Sequence, residues 1–201
     1  MAEPIRFYFD FASPYAYFAL DRVERLAAAH GRRVEWRPVL LWAVLKAHAI
    51  APPLDAPAKH DYFVTDMPRS AAFYGVDYRQ PETLGRSSHR AARLYYALVA
   101  NAPERARAFG RAVFAAFFAD GVDISREDEL VRIAAGLAIE PAMALEAMNG
   151  DVGRARLAAA VETAVADRVT GSPFFIVDGE PFFGVDRLPQ IEWRLSQNRP
   201  K

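Results

Sequence analysis

Two serines at opposite ends of the chain carry the chemistry this sequence could do. Ser13 ends the aromatic run Phe7-Tyr8-Phe9-Asp10-Phe11-Ala12 and is followed by Pro14. Serine suits a helix N-cap, and proline suits the first helical residue, where its missing N–H costs nothing. The unpaired N–H groups and positive dipole end of such a helix favour an anion, and a thiolate is one candidate. A plain capping serine is the alternative. Ser172 lies in Gly171-Ser172-Pro173-Phe174-Phe175-Ile176-Val177-Asp178-Gly179-Glu180-Pro181-Phe182-Phe183-Gly184-Val185-Asp186-Arg187-Leu188. Asp178-Gly179 predicts a two-residue hairpin turn, and Pro181 confines the return strand to an edge. Asp186 reads as the cap of a last helix carrying Leu188, Ile191 and Leu195 on one face.

These residues need elements to hold them. Residues 5–11 read as a strand. Residues 14–30 read as a helix, with Tyr17, Leu20, Val23 and Leu26 at helical spacing until Gly31. Val34-Glu35-Trp36-Arg37 alternates as a second strand ending at Pro38. Residues 39–48 form a short apolar helix or turn, and Pro52, Pro53 and Pro57 mark a loop. Helices follow over residues 59–74, after Ser87 or Ser88, after Pro103, and after Pro141. Ser125 with Asp128 reads as a capping box before Leu130, and residues 152–169 continue the helical pattern. Residues 76–84 are expected to be extended. Strand–helix–strand at the start and Pro–strand–hairpin–helix at the end are two halves of a thioredoxin-like domain. The expected fold class is therefore α/β: a thioredoxin-like domain (β-α-β … β-β-α) over residues 1–39 and 169–201, with a large all-helical insertion over residues 40–168. In that fold a cis-proline opens the third strand, so Ser172-Pro173 is a candidate cis bond. A cleft between the two parts is the default ligand site.

Composition excludes several classes. At 201 residues and 52% hydrophobic content the chain can bury a sizeable core. Lys+Arg and Asp+Glu balance at 25 each, so nothing in the charge calls for nucleic acid or an anionic membrane. There is no cysteine, hence no disulfide, no thiolate metal site and no cysteine-based redox cycle. Any thiol must come from a ligand. His30, His48, His60 and His89 lack metal-ligand spacing, so no metal is expected. Ser13 lacks an identifiable His and Asp pair, which argues against a hydrolase. No run approaches the roughly 18 apolar residues of a membrane span, and Met1-Ala2-Glu3-Pro4-Ile5-Arg6 has no apolar signal region. The expected location is the cytoplasm.

The stretches Phe7-Tyr8-Phe9-Asp10-Phe11-Ala12-Ser13-Pro14-Tyr15, Trp36-Arg37-Pro38-Val39-Leu40-Leu41, Lys46, Gly171-Ser172-Pro173 and Gly184-Val185-Asp186-Arg187-Leu188 fall in order over nearly the whole chain. In them the chain resembles the 2-hydroxychromene-2-carboxylate isomerases. These are glutathione-dependent enzymes of the disulfide-oxidoreductase-like branch of thioredoxin folds, related to kappa-class glutathione transferases. The resemblance implies glutathione as cofactor, a small bicyclic aromatic substrate and a homodimer. It implies that Ser13 holds the glutathione thiolate, which adds reversibly to a conjugated carbon of the substrate. Ser172, before Pro173, would meet the cysteinyl backbone of glutathione. Gly184, Val185 and Asp186 would meet its γ-glutamyl end. Lys46 would grip the substrate carboxylate, with Arg86 a further contact and Tyr15, Trp42 and Phe63 building the pocket.

The family often has Asn, Gln or Ser where this chain has Val185. It often has a Gly-Asn segment where this chain reads His48-Ala49-Ile50-Ala51. Two other functions remain open at this stage. A kappa-like transferase that conjugates electrophiles would use the same thiolate site without Lys46. A non-catalytic thioredoxin-like binding domain would have no glutathione affinity.

Overall fold

The computed structural model describes residues 2–197. Strand β1 (Ile5–Phe9) leads into helix α1 (Pro14–Ala29), and β2 (Val34–Pro38) returns parallel to β1, with Phe7 opposite Trp36. Strands β3 (Phe174–Val177) and β4 (Glu180–Phe183) complete a four-stranded sheet of order β2-β1-β3-β4. The β1–β3 and β3–β4 pairs are antiparallel, and Phe7 also faces Phe175. The hairpin turns at Asp178 and Gly179, both at positive φ (51° and 83°), the conformation an Asp-Gly turn of this kind requires. Strand β4 lies at the edge, where the missing N–H of Pro181 breaks no inner ladder.

Between the two halves run helices α2 (Leu41–Ala47), α3 (Pro57–Tyr74), α4 (His89–Asn101), α5 (Pro103–Phe118), α6 (Glu127–Ala135), α7 (Pro141–Asn149) and α8 (Asp151–Ala166). After β4 a single 3-10 turn (Val185–Arg187) leads to α9 (Leu188–Ser196). Prolines open α1, α3, α5 and α7, where the φ of proline fits and its N–H is not needed. Among the described residues no helix is long and apolar enough to cross a membrane.

The two sheet faces bury different partners, as the two-residue period of a strand dictates. Phe7, Phe9, Trp36 and Phe175 face α1 and α5. Phe7 stacks on Phe175 with centroids 5.2 Å apart, and Phe9 meets Phe114 at 5.3 Å. Tyr8, Phe174 and Ile176 face the other way, onto Val44 of α2, Ala164 of α8 and Val169. Aromatic contacts of this kind contribute about 0.5–1.5 kcal/mol each beyond their burial. The sheet is thereby clamped from both sides, and the ends of β1 and the start of β3 become fixed points.

Four local expectations change. Strand β1 stops at Phe9, not at residue 11, because the Asp10 carboxylate takes the N–H of Ala12 and turns the chain. Ser88 stands at the N-cap of α4 but makes no capping bond, since its hydroxyl donates to Asp10 instead. The capping box fails: Arg126 holds the N-cap of α6, Ser125 donates to Asp123 (2.6 Å), and Asp128 pairs with Arg126. Asp186 falls within the 3-10 turn, and Arg187 stands at the N-cap of α9. At Ser88 and Ser125 a carboxylate takes the hydroxyl proton in place of a local capping arrangement.

Candidate functional site

Ser13 is the N-cap of α1, in extended conformation, and only 8% exposed. Its Oγ accepts from the N–H of Ala16 over 3.4 Å, a long capping bond. The same hydroxyl donates to the backbone carbonyl of Ser172 at 2.9 Å. Residues 159 positions apart in sequence thus meet at the positive end of a helix. A serine hydroxyl has one proton to give. To donate to a sulfur it must turn away from Ser172, a rotation that leaves the capping acceptor role intact. The Ser172–Pro173 peptide is cis.

Asp10 is a residue that sequence reading passed over. Its carboxylate is buried, and burial pushes its pKa above the usual carboxylate range. Bonds from Ser88, Ala12 and Leu41 act against that rise. Its backbone N–H donates to Ser172 Oγ at 3.0 Å, and its C=O accepts from the N–H of Ser13 at 2.9 Å. The available signal was its type: a lone carboxylate between Phe9 and Phe11 cannot be placed in an apolar run without partners.

The far side of Ser172 is built by small residues. A Cβ on Gly171 would fall 2.0 Å from the Phe183 ring. Gly184 has φ 107°, and a Cβ there would fall 2.3 Å from Asp186 Oδ1. The N–H of Gly184 donates to the carbonyl of Pro173 at 3.0 Å, which docks the Gly184-Val185-Asp186 turn against the proline. Val185 is buried. Asp186 is exposed, with a carboxylate oxygen 3.5 Å from Arg187. Its charge also helps burial to raise the Tyr74 hydroxyl pKa.

The helical side supplies an aromatic wall and a cation. Tyr15, two residues beyond Ser13, sets its ring 5.8 Å from Phe18 and 6.0 Å from Phe63. Its hydroxyl donates to Asp66 Oδ2 at 2.6 Å, and burial with Asp66 pushes its pKa up. Asp66 also accepts from Ser70, Tyr62 and Arg69. Burial pushes its pKa up, but these bonds outweigh burial and hold it below the usual range.

Lys46 is exposed and lines a cavity of about 460 Å³ with Trp42, Ala49, Ile50, Ala51 and Pro52. The start of α2 is tied to Asp10 by the N–H of Leu41, so Lys46 stands roughly 7 Å further along that helix. Arg86 does not line this cavity; it pairs with Asp123 at 3.2 Å. Among the described residues no group of three or more His, Cys, Asp or Glu could hold a metal.

A β2-β1-β3-β4 sheet, a serine-capped helix leaving its first strand, and a cis Ser-Pro against that cap define a thioredoxin-like protein whose first helix carries no cysteine. The model of the DsbA-like thioredoxin domain matches residues 4–196, and the chain belongs to that family. Within it the chain is similar to a 2-hydroxychromene-2-carboxylate isomerase of Sphingobium xenophagum, 29% identical over 96% of this chain and 97% of the other. It is also similar to glutathione S-transferase kappa 2 of Caenorhabditis elegans, at 25% identity over 96% and 92% of the two chains. A solved structure of a 2-hydroxychromene-2-carboxylate isomerase shares the fold, with a TM-score of 0.84 at 24% identity over 97% and 95% of the chains.

Proposed function

We propose that the protein is a glutathione-dependent isomerase acting on a bicyclic aromatic 2-hydroxy-2-carboxylate. The observation that carries this reading is the Ser13–Ser172 pair, a buried hydroxyl at a helix start in a fold without cysteine. The similarity to isomerases over nearly the whole chain supports the reaction class. The similarity to a kappa transferase supports the thiol source.

The residues fit glutathione by their chemistry. Ser13 offers a hydroxyl donor backed by the α1 dipole, the combination that lowers thiol pKa values at helix starts. Ser172 would offer backbone groups to the cysteinyl unit beside Pro173, in the manner of strand addition. Asp186, on the turn anchored by Gly184 and Val185, is a carboxylate for the γ-glutamyl ammonium. When bound, glutathione supplies a thiolate that adds to a conjugated carbon and leaves again after bond rotation. Ser13 then holds the negative charge at the sulfur position whenever the sulfur is free. Lys46, a point charge on a short helix, would hold the substrate carboxylate over the Trp42 face of its cavity. Tyr15 would contribute its ring, its hydroxyl being committed to Asp66. Arg86 is the weaker candidate for substrate contact, since Asp123 already takes its charge.

A kappa-like transferase is the second reading, favoured by the kappa relative. Turnover of a hydroxychromene carboxylate beside conjugation of an aryl halide, each with glutathione, separates the two. Isomerisation without consumption of glutathione is the expected result. Conjugation alone would reverse the choice, and absence of glutathione binding by calorimetry would remove both.

A further inference from the structure

Burying an ionised carboxylate is costly unless donors replace its water. Asp10 is such a group, and the chemistry proposed above does not use it. Its Oδ1 accepts from the N–H of Ala12 at 2.9 Å and from the Ser88 hydroxyl at 2.6 Å. Its Oδ2 accepts from the N–H of Leu41 at 2.9 Å. These donors belong to three separate helix starts. Ala12 lies just before α1, Leu41 is the first residue of α2, and Ser88 immediately precedes α4. The backbone of the same residue bonds to both candidate glutathione serines, Ser13 through C=O and Ser172 through N–H. All three carboxylate partners donate, which is the arrangement of an ionised acid. Burial raises its pKa, and these three donors act against that rise.

We propose that Asp10 is a positioning residue for the thiolate site: it sets Ser13 against Ser172, and its charge competes with a bound thiolate for the same positive helix ends. The inference rests on the glutathione reading and deepens it. A carboxylate and a thiolate close to one helix start repel each other. Asp10 therefore holds the site in shape while opposing part of the stabilisation that α1 gives to sulfur. A residue with a purely structural role would change stability and affinity but leave the titration of the bound thiol where it was.

The test follows the ultraviolet absorbance of the thiolate in the glutathione complex against pH, with the glutathione dissociation constant measured beside it. In Asp10→Asn the titration of the bound thiol moves to lower pH, giving roughly tenfold more thiolate at a fixed pH below its midpoint. The backbone bonds of residue 10 to Ser13 and Ser172 remain, and affinity falls several-fold as the weaker side-chain bonds loosen the starts of α1, α2 and α4 around them. An unmoved or raised midpoint in Asp10→Asn overturns the proposal. Where Asp10→Asn fails to fold or to bind, Ser88→Ala decides, because it removes a donor that holds the buried carboxylate ionised. Asp10 then keeps its proton to higher pH, its repulsion on the sulfur is relieved, and more thiolate is present at a fixed pH. The same or less thiolate in Ser88→Ala overturns the proposal. A wild-type protein that binds no glutathione refutes the functional reading itself, and this inference with it.

Discussion

Replacing Ser13 by alanine separates a cap from a catalytic group. The hydroxyl makes two bonds within the fold, one from the Ala16 N–H at 3.4 Å and one to the Ser172 carbonyl at 2.9 Å. Loss of an N-cap costs about 1 kcal/mol, and the long Ala16 bond puts this one at or below that figure. A carbonyl that loses a neutral donor costs about 1 kcal/mol more. The fold should therefore weaken by roughly 1–2 kcal/mol, a fall of about 2–8 °C in Tm for a chain of this size. The chemistry should suffer more. A donor that holds a buried thiolate makes a charged hydrogen bond worth about 1.5–3 kcal/mol, or roughly a 10- to 150-fold rate. The assay is the rate of isomerisation of a hydroxychromene carboxylate at saturating glutathione, with thermal unfolding of the same preparation. A large rate loss with a small Tm loss is expected. Activity within twofold of wild type would refute the assignment and leave Ser13 as a helix cap.

Three further substitutions probe the rest of the site. Lys46→Met should lower kcat/KM for carboxylated chromenes by roughly 5- to 150-fold, the worth of about 1–3 kcal/mol, while glutathione affinity stays unchanged. An equal loss on uncharged electrophiles would argue for a packing role. Asp186→Asn should raise the glutathione dissociation constant about three- to tenfold, the low end for a charged bond because the residue is exposed, and leave kcat at saturation nearly unchanged. An unmoved dissociation constant would take Asp186 out of the site. Asp66 has a folded pKa below its unfolded value near 3.8, so its bonds stabilise the fold above that pH and fade as pH falls through the folded value. Tyr15→Phe should therefore be less stable than wild type at neutral pH, and the gap in Tm should close in acid. A gap that persists undiminished in acid would show that Tyr15 stabilises by packing alone.

What was legible in the sequence was what depends on near neighbours. The aromatic strand, the serine-proline helix start, the Gly31 stop and the Asp178-Gly179 turn each rest on residues within a few positions, and each is present. The pairing of Ser13 with Ser172 was reachable only through the resemblance, since no local pattern links positions so far apart. Asp10 was not legible, because its meaning lies in Leu41 and Ser88, 31 and 78 residues away. The same physics explains the capping errors. Ser88, Ser125 and Asp186 each have the composition of a cap, but in the folded chain a carboxylate takes the hydroxyl of Ser88 and of Ser125, and the 3-10 turn after β4 leaves Asp186 one residue short of the N-cap of α9.

A fold widely used for disulfide exchange occurs here without any cysteine. The field at the start of α1 acts on whatever anion stands there, and it does not depend on which molecule supplies the sulfur. Without cysteine the protein has no thiol redox couple of its own, and under the proposed function the helix start is open to a soluble thiol. What must then be supplied is registration, because a ligand thiol is not covalently held. Under the proposed function the Ser13–Ser172 bond, the Gly184–Pro173 bond and the Asp10 backbone bonds would meet that need from three sides. Helix α2 extends the same frame outward. Its first N–H is bonded to Asp10, and Lys46 stands little more than a turn further on, so the proposed sulfur position and the proposed carboxylate grip would be set from one fixed point. An isomerase needs that fixed spacing more than a general transferase does, since its substrate must present a carboxylate and a conjugated carbon at once.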